Sequence, residues 1–311
     1  MTKGLNRLRD KPNMKEIVII SGKGGTGKTT LTASFAALAS KPVLADCDVD
    51  AADLHLVMNP EIQKREDFSG GKIARIKPGH CTACGKCEEL CRFDAIFFDG
   101  PGNGTVPKTF RIDPIRCEGC GVCAWFCADK AIDFREVING QVFESETRFG
   151  PMVHARLGVA EENSGKLVTL VRTLAKKTAE RESRSTIIID GSPGIGCPVI
   201  SSIAGADGVV VVTEPTLSGQ HDLERILDLA GHFGITATVV VNKWTINEKI
   251  TEAIEARARE RGVAIAGRIR YDRQAVEAVM KKITVVEHTS EGIAEDIRAA
   301  WETTSECFSI L

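Results

Sequence analysis

The sequence lacks an excess of either charge, because its 40 lysines and arginines are balanced by 42 aspartates and glutamates, which gives a formal net charge of -2. Proteins that bind nucleic acid or an anionic membrane through their overall charge are strongly basic, so neither partner is expected here. It also lacks an apolar run near the roughly 20 residues that a membrane-spanning helix needs. The start, MTKGLNRLRDKPNMKE, has no apolar centre of the signal-peptide kind. These absences predict a cytoplasmic protein.

Cysteine, by contrast, is abundant and unevenly distributed. The chain has 11 cysteines, and eight of them fall between Cys81 and Cys127. Cytosolic thiols are kept reduced, and clustered cysteines in such proteins more often bind metal or take part in catalysis than form disulfides. The concentration therefore marks a separate unit with its own chemistry.

Outside the cysteine-rich region, short apolar runs alternate with segments of helical pattern. EIVII, PVLAD, STIIID, DGVVVVT and ATVVVN are rich in β-branched residues, and each ends in a polar or glycine-containing turn. Strands buried on both faces that alternate with helices are typical of a doubly wound, mostly parallel α/β sheet. In such sheets ligands bind at the carboxyl ends of the strands, where these turns fall.

The cysteine-rich region contains an internal repeat. IKPGHCTACGKCEELCRFDAIFF (Ile76–Phe98) matches IDPIRCEGCGVCAWFCADKAIDF (Ile112–Phe134) at every cysteine, with a constant offset of 36 residues. A fixed offset of this kind indicates a duplicated module. Because α/β patterns stand on both sides of it, we predict an insertion over residues 61–154 in an α/β domain formed by 1–60 and 155–311.

The segment GKGGTGKT (Gly22–Thr29) fits the phosphate-binding pattern GxxxxGK[ST] between a predicted strand and a predicted helix. Glycines let backbone N–H groups face phosphate oxygens, Lys28 would neutralise the β and γ phosphates, and Thr29 would offer a hydroxyl to Mg²⁺. Asp190, at the end of STIIID, is placed to complete the metal site. The pattern predicts an ATP site with these further residues: Gly22, Gly24, Gly25, Gly27 and Thr30.

A second lysine directly follows the first glycine of this loop, and KGGTGKTT resembles the deviant Walker A loop of the MinD, ParA and Mrp ATPases and of the nitrogenase iron protein. The resemblance implies that Lys23 reaches across a nucleotide-sandwich dimer to the partner's phosphates. DCDVDAADL resembles the family's switch I, which implies that Asp48 positions the attacking water and that Asp46 lies near Mg²⁺. VNK resembles the strand end whose asparagine, here Asn242, contacts adenine. The implied catalytic residues are Lys23, Lys28 and Asp48.

The two CxxCxxCxxxC motifs favour two 4Fe-4S clusters over zinc, because zinc sites usually pair CxxC units across a longer loop. The motifs resemble two-cluster ferredoxins, in which the fourth cysteine of each motif serves the other cluster. The resemblance implies two ligand sets: Cys81, Cys84, Cys87 with Cys127, and Cys117, Cys120, Cys123 with Cys91. Arg92 and Ala128 stand where bacterial-type ferredoxins have proline. The whole chain resembles MinD-superfamily ATPases with an inserted ferredoxin domain.

These features lead to two functional hypotheses. In the first, the nucleotide state of a homodimer, or of a heterodimer with a related ATPase, gates electron transfer through the clusters to a redox partner. In the second, the protein assembles or delivers an iron–sulfur or other metal cofactor to an apo-metalloprotein. A ParA-like positioning protein would leave the cysteine module without a role. Cys197 is either a buried structural thiol or a subunit-bridging metal ligand. The acidic C-terminal stretch GIAEDIRAAWETTSECFSIL disfavours binding to anionic lipid.

Overall fold

A computed structural model describes residues 14–158 and 164–310 of the chain. These residues form two compact units. The larger unit comprises 14–66, 141–157 and 164–310, and the smaller comprises 67–140 and residue 158. The smaller unit is thus shorter than the predicted insertion of 61–154, because the chain on both sides of it continues as strands of the larger unit.

The described residues contain thirteen strands and eleven α-helices. The strands are β1 (Lys15–Ser21), β2 (Val43–Asp46), β3 (Glu61–Phe68), β4 (Gly71–Ile76), β5 (Ile96–Gly100), β6 (Thr109–Ile112), β7 (Ile132–Val137), β8 (Gly140–Thr147), β9 (Gly150–Leu157), β10 (Thr186–Asp190), β11 (Gly208–Thr213), β12 (Ala237–Asn242) and β13 (Ala264–Ile269). The helices are α1 (Lys28–Leu38), α2 (Leu54–Met58), α3 (Lys86–Leu90), α4 (Val122–Trp125), α5 (Ser164–Arg181), α6 (Cys197–Ile203), α7 (Leu217–His232), α8 (Glu248–Glu260), α9 (Gln274–Met280), α10 (Val285–His288) and α11 (Ile293–Phe308). Short 3-10 helices lie at Pro78–His80 and Trp244–Ile246.

The larger unit is built on one nine-stranded sheet with the order β13-β12-β11-β1-β10-β2-β9-β8-β3. The pairings from β13 through to β9 are parallel, as the sequence predicts for strands buried on both faces. All but the first residue of β1 are buried, and so is every residue of β10 and β11. Helix α1 packs its apolar residues against the sheet, and the Phe35 ring lies 5.1 Å from that of Trp301 in α11.

Three strands extend this sheet beyond the part that the sequence predicts. A two-residue connection joins β8 to β9, so these neighbours run antiparallel, and β3 forms the edge. Seven of the eight residues of β3, EIQKREDF, are exposed. A charged edge strand resists pairing with other chains, and it has no buried apolar face that would mark it as a strand in the sequence.

The smaller unit reproduces the 36-residue repeat as two strand–helix–strand elements, β4-α3-β5 and β6-α4-β7. The strands pair crosswise: β4 pairs with β7, and β5 pairs with β6, both antiparallel. Each two-stranded sheet therefore takes one strand from each repeat. The two sheets share a small apolar core, and its buried members include Ala74, Ile76, Ile96 and Phe110.

No helix within the described part of the chain is long and apolar enough to cross a membrane.

Candidate functional site

The loop between β1 and α1 has a backbone conformation that favours glycine at two places. Gly25 and Gly27 have φ angles of 79° and 87°, in the left-handed region that disfavours residues with a Cβ. A Cβ on Gly27 would also lie 2.3 Å from Nδ2 of Asn242. Ser21 closes the loop, since its hydroxyl donates to the carbonyl of Lys23 at 2.8 Å. The loop is thus a tight turn that leads directly into α1.

Lys28, the first residue of α1, lies between two carboxylates. Its Nζ is 2.8 Å from Oδ1 of Asp190 and 3.3 Å from Oδ2 of Asp48, and the side chain is almost fully buried. Burial by itself lowers the pKa of the Lys28 ammonium, but the two carboxylates outweigh burial and hold that pKa above its ordinary value. Lys28 is therefore positively charged at neutral pH, and its charge is compensated by groups that a bound phosphate could replace.

The predicted metal-site residues Thr29 and Asp190 are in direct contact. The Thr29 hydroxyl donates to Oδ2 of Asp190 at 2.7 Å, and the Thr32 hydroxyl donates to Oδ1 at 2.9 Å. Asp190 ends β10 beside Asp46, its register partner at the end of β2. Two carboxylates and a hydroxyl at adjacent strand ends form an oxygen-rich donor set of the kind that Mg²⁺ prefers.

Asp46 and Asp48 lie on the loop that follows β2. The carboxylate of Asp46 accepts hydrogen bonds from the backbone N–H groups of Asp48 at 3.1 Å and Leu54 at 3.3 Å. Burial, and then the neighbouring Asp190, raise the pKa of Asp46 well above its usual range. Burial also raises the pKa of Asp48, although Lys28 opposes this effect. A cation bound at this edge of the sheet would stabilise the charged form of both carboxylates and so oppose the effect of burial on their pKa values.

Lys23 and Asn242 make contacts within the chain. The Lys23 ammonium donates to Oγ of Ser218, near the start of α7, at 3.0 Å. The Asn242 amide donates to the carbonyl of Thr26 at 2.7 Å, so it braces the loop. The roles implied for them, at a partner's phosphates and at adenine, stay predictions.

A cavity of about 430 Å³ adjoins the loop. Its polar end is formed by Gly25, Gly27, Thr30 and Asn242, and its apolar wall includes Ile269, Val276 and Ile297. A polar end beside a phosphate-type loop and an apolar wall beyond it suit a nucleotide base.

Lys243 was not identified from the sequence, although it also lines this cavity. Its Nζ donates to the carbonyl of Gly25 at 3.2 Å and contacts the carboxylate of Glu214. Lys243 adopts a left-handed backbone with φ 57°, an uncommon conformation for a lysine that is often found at functional sites. The only sequence signal was its position directly after Asn242.

In the smaller unit, the eight cysteines line two separate cavities, each of about 20 Å³. The first is lined by Cys81, Cys84, Cys87 and Cys127, and the second by Cys91, Cys117, Cys120 and Cys123. Each cavity thus takes three cysteines from one repeat and the fourth from the other. This grouping is the one that the resemblance to two-cluster ferredoxins implies.

Hydrogen bonds from other residues of the unit hold two of these cysteines in place. The N–H of Ala131 donates to Sγ of Cys127 at 3.3 Å, and the Asn103 amide donates to the carbonyl of Cys81 at 2.9 Å. Burial raises the pKa of the Cys87 and Cys123 thiols to about 11, so metal binding at these thiols would release protons. Within 14–158 and 164–310, no three His, Cys, Asp or Glu side chains converge closely enough to hold a single metal ion.

The remaining cysteines lie in the larger unit and line neither of these cavities. Cys47 is fully buried, and burial raises its thiol pKa far above the ordinary value. Cys197, the first residue of α6, is exposed, so the interpretation of it as a buried structural thiol is wrong. Cys307 is also exposed.

Comparison with known proteins connects this geometry to a family. The family model described as the CobQ/CobB/MinD/ParA nucleotide binding domain matches residues 17–285. The chain belongs to the CobQ/CobB/MinD/ParA family. Its larger unit is a MinD/ParA-like P-loop nucleotide-binding ATPase domain with a mostly parallel central sheet.

Relatives of this CobQ/CobB/MinD/ParA protein include an uncharacterized protein of Methanocaldococcus jannaschii, 37% identical over 235 residues, which are 75% of this chain and 79% of the relative. The septum site-determining protein MinD of Bacillus subtilis is 25% identical over 217 residues, 68% of this chain and 58% of that protein. Among solved structures, the cell division ATPase MinD of Pyrococcus furiosus has a TM-score of 0.55 at 17% identity, with 94% of this chain and 99% of that chain covered. MinD of Pyrococcus horikoshii, solved as a complex with Mg-ADP, has a TM-score of 0.54 at 18% identity, with 94% and 97% covered.

Proposed function

We propose that the protein is an ATP-hydrolysing iron–sulfur protein in which the nucleotide state of a dimer controls electron transfer through two 4Fe-4S clusters. The observation that carries the proposal is the sorting of eight cysteines into two complete sets of four, in a chain whose other unit has a MinD/ParA-like P-loop.

The contacts around Lys28 support ATP as the ligand of the larger unit. The ammonium would exchange its carboxylate partners for the β and γ phosphates, and the hydroxyl of Thr29 with the carboxylates of Asp46 and Asp190 would hold Mg²⁺. Asp48 would orient the attacking water. The water oxygen bonds to the γ phosphorus as the bond to the β–γ bridging oxygen breaks, which yields ADP and phosphate. Lys23 of each protomer would complete the partner's site.

The cysteine sets fit an iron–sulfur cluster better than a single ion. One ion must bind all its thiolates at about 2.3 Å, as zinc does, whereas a four-iron cluster spreads four thiolates over four metal atoms. Each motif also places four cysteines within eleven residues, whereas zinc sites usually pair CxxC units across a longer loop. When bound, such clusters supply one-electron chemistry.

Two complete sets also favour a relay over delivery. A cluster held by four cysteines of one chain has no ligand position left for a receiving protein, so it is built to stay bound. ATP-dependent assembly or delivery of a metallocofactor is the alternative, and the ATPase half, which resembles cluster-assembly proteins of the Mrp type, is what favours it.

The test is metal analysis and electron paramagnetic resonance of anaerobically purified protein. We expect about eight iron atoms per chain, four for each cluster, and dithionite-reduced signals that change when MgATP is added. Lys28→Ala is the control, because it should retain the iron but lose the response to MgATP. Bound zinc in place of iron, or reoxidation rates that are equal with and without MgATP, would refute the relay. Net transfer of iron and sulfide to an apo-ferredoxin would favour delivery instead.

A further inference from the structure

Helix α2 follows the aspartate loop along the chain and precedes the edge strand β3. The loop carries Asp46 and Asp48, and the first N–H of the helix, that of Leu54, donates to the Asp46 carboxylate at 3.3 Å. After α2 the chain turns at Asn59, which has a left-handed backbone with φ 46°, and continues directly into β3. Any shift of the Asp46 loop therefore acts on the beginning of α2.

Arg148 holds the other end of α2. It lies in the two-residue turn between β8 and β9, and one terminal nitrogen donates to the carbonyls of Val57 at 3.1 Å and Met58 at 3.0 Å. Its Nε and other terminal nitrogen form a two-pronged ion pair with Glu287 of α10, at 2.8 and 2.7 Å. A guanidinium bound in this bidentate way has little freedom to move. Arg148 thus fixes the last carbonyls of α2 to the β8–β9 turn.

A row of stacked side chains forms a second connection from α2 across the sheet. The His55 ring of α2 lies parallel to the His154 ring of β9, with 6.4 Å between their centroids. His154 stacks on Phe143 of β8 at 4.9 Å, and the Arg65 guanidinium of β3 lies 5.3 Å from the Phe143 centroid. These separations are within the range of attractive ring and cation–π contacts. The row crosses β9, β8 and β3 in their order in the sheet.

His154 at the centre of this row is buried and its orientation is fixed. Its Nε2 is 2.9 Å from the Ser145 hydroxyl. Burial, and then the neighbouring His55, lower the pKa of His154 to about 4, so the ring is neutral at physiological pH and stacks without a charge. A packed row without freedom to reorient moves as a unit.

We propose that α2, clamped by Arg148 and stacked through His154, transmits the nucleotide state of the P-loop to β3 and β8. These are the strands by which the chain leaves the larger unit after Glu66 and re-enters it at Gln141. The inference rests on the proposed binding of ATP, and it assigns the connection through which ATP would control the cysteine unit. Arg148 and His55 are positioning residues, because neither contacts the P-loop residues described above.

The test is hydrogen–deuterium exchange of the full chain, with and without MgATP, read on peptides from α2, β3 and β8. This readout does not depend on iron content or on turnover. In the wild type we expect MgATP to change the exchange rates of β3 and β8 by about fivefold, the lower end of usual coupling between sites. In Arg148→Gln and in His55→Ala the change should fall below about twofold while the Kd for MgATP stays within about twofold of the wild type.

Leu56→Ala is the matched control, because Leu56 is on the same helix and 47% exposed. It should leave the full response in place. If Arg148→Gln does not fold, Glu287→Gln tests the clamp and His55→Ala tests the row of stacked side chains. A wild type that binds MgATP without any change in β3 and β8, or variants that keep the full change, would overturn this inference alone. A wild type that binds no MgATP would overturn the proposed function along with it.

Discussion

The three glycines at the turn of the P-loop allow backbone strain and steric collision to be measured separately. Replacing Gly24 with alanine should cause neither strain nor collision. Gly24 is outside the left-handed region, and no described atom lies within 4 Å of a Cβ placed there. An alanine at Gly25 meets strain alone, at φ 79° with open space around the Cβ. An alanine at Gly27 meets strain at φ 87° and a collision with Asn242 at 2.3 Å.

The expected free energies of unfolding follow from these differences. Alanine in the left-handed region costs about 1–2 kcal/mol, so Gly25→Ala should be less stable than Gly24→Ala by that amount. Gly27→Ala must also displace the Asn242 amide from the Thr26 carbonyl, and a lost hydrogen bond costs about 1 kcal/mol more. We therefore expect Gly27→Ala to lie about 2–3 kcal/mol below Gly24→Ala. The Gly24→Ala reference cancels the entropy that each alanine removes from the unfolded chain.

The assay is urea unfolding of nucleotide-free protein, followed by tryptophan fluorescence in a background where Trp125 and Trp244 are replaced by Phe. The signal then comes from Trp301, which packs on Phe35 of α1. Adding Asn242→Ala to Gly27→Ala removes the collision, so the two changes together should cost about 1 kcal/mol less than the sum of the single changes. If the free energies of unfolding of the three glycine variants differ by less than about 0.5 kcal/mol, this account of the loop is refuted.

The other predictions concern the dimer, the cysteine sets and pH. Lys23→Ala should keep the Kd for MgATP within about threefold of the wild type but lower the rate of steady-state ATP hydrolysis at least about tenfold. Hydrolysis at the wild-type rate would rule out a role for Lys23 at the partner's site. The double variant Cys127→Ser/Cys84→Ser should lose one cluster, whereas Cys127→Ser/Cys120→Ser should damage both, and iron analysis would measure the difference. Equal losses of iron in the two double variants would contradict the crossed cysteine sets. The pKa of His154 is about 4 in the folded chain and about 6.5 in the unfolded chain. Between these pH values the unfolded chain binds more protons, so the free energy of unfolding should fall as the pH drops from 6.5 to 4. The decrease should reach up to about 1.4 kcal/mol per pH unit. His154→Gln should flatten that slope in urea titrations, and an unchanged slope would assign it to other groups.

The sequence was sufficient for the parallel part of the sheet. Runs such as IVII and VVVV are β-branched and apolar, and helical segments separate them. The mostly parallel α/β P-loop fold of the larger unit was therefore predicted and is confirmed. The contact between Lys28 and Asp190 was predictable for the same reason. A P-loop lysine and an acidic residue at the end of the adjacent parallel strand lie at the same edge of the sheet.

Features that depend on contacts distant in the sequence were not predicted. Strand β3 has a charged, exposed sequence that resembles a loop, and it becomes a strand because β8 provides a partner about 80 residues later. The contact of Lys243 with the Gly25 carbonyl spans 218 residues, and no local pattern encodes it. The Arg148 clamp likewise joins a turn to the end of a helix about 90 residues earlier.

The crosswise pairing of the two repeats has a consequence for synthesis of the chain. Because β4 pairs with β7 and the cavity of Cys81 is completed by Cys127, neither half of the repeat can fold as an independent intermediate on the ribosome. At a translation rate of about 5–20 residues per second, Cys127 is synthesised several seconds after Cys81. During that interval the first cysteines are free thiols, so they are open to oxidation until the second repeat has been synthesised.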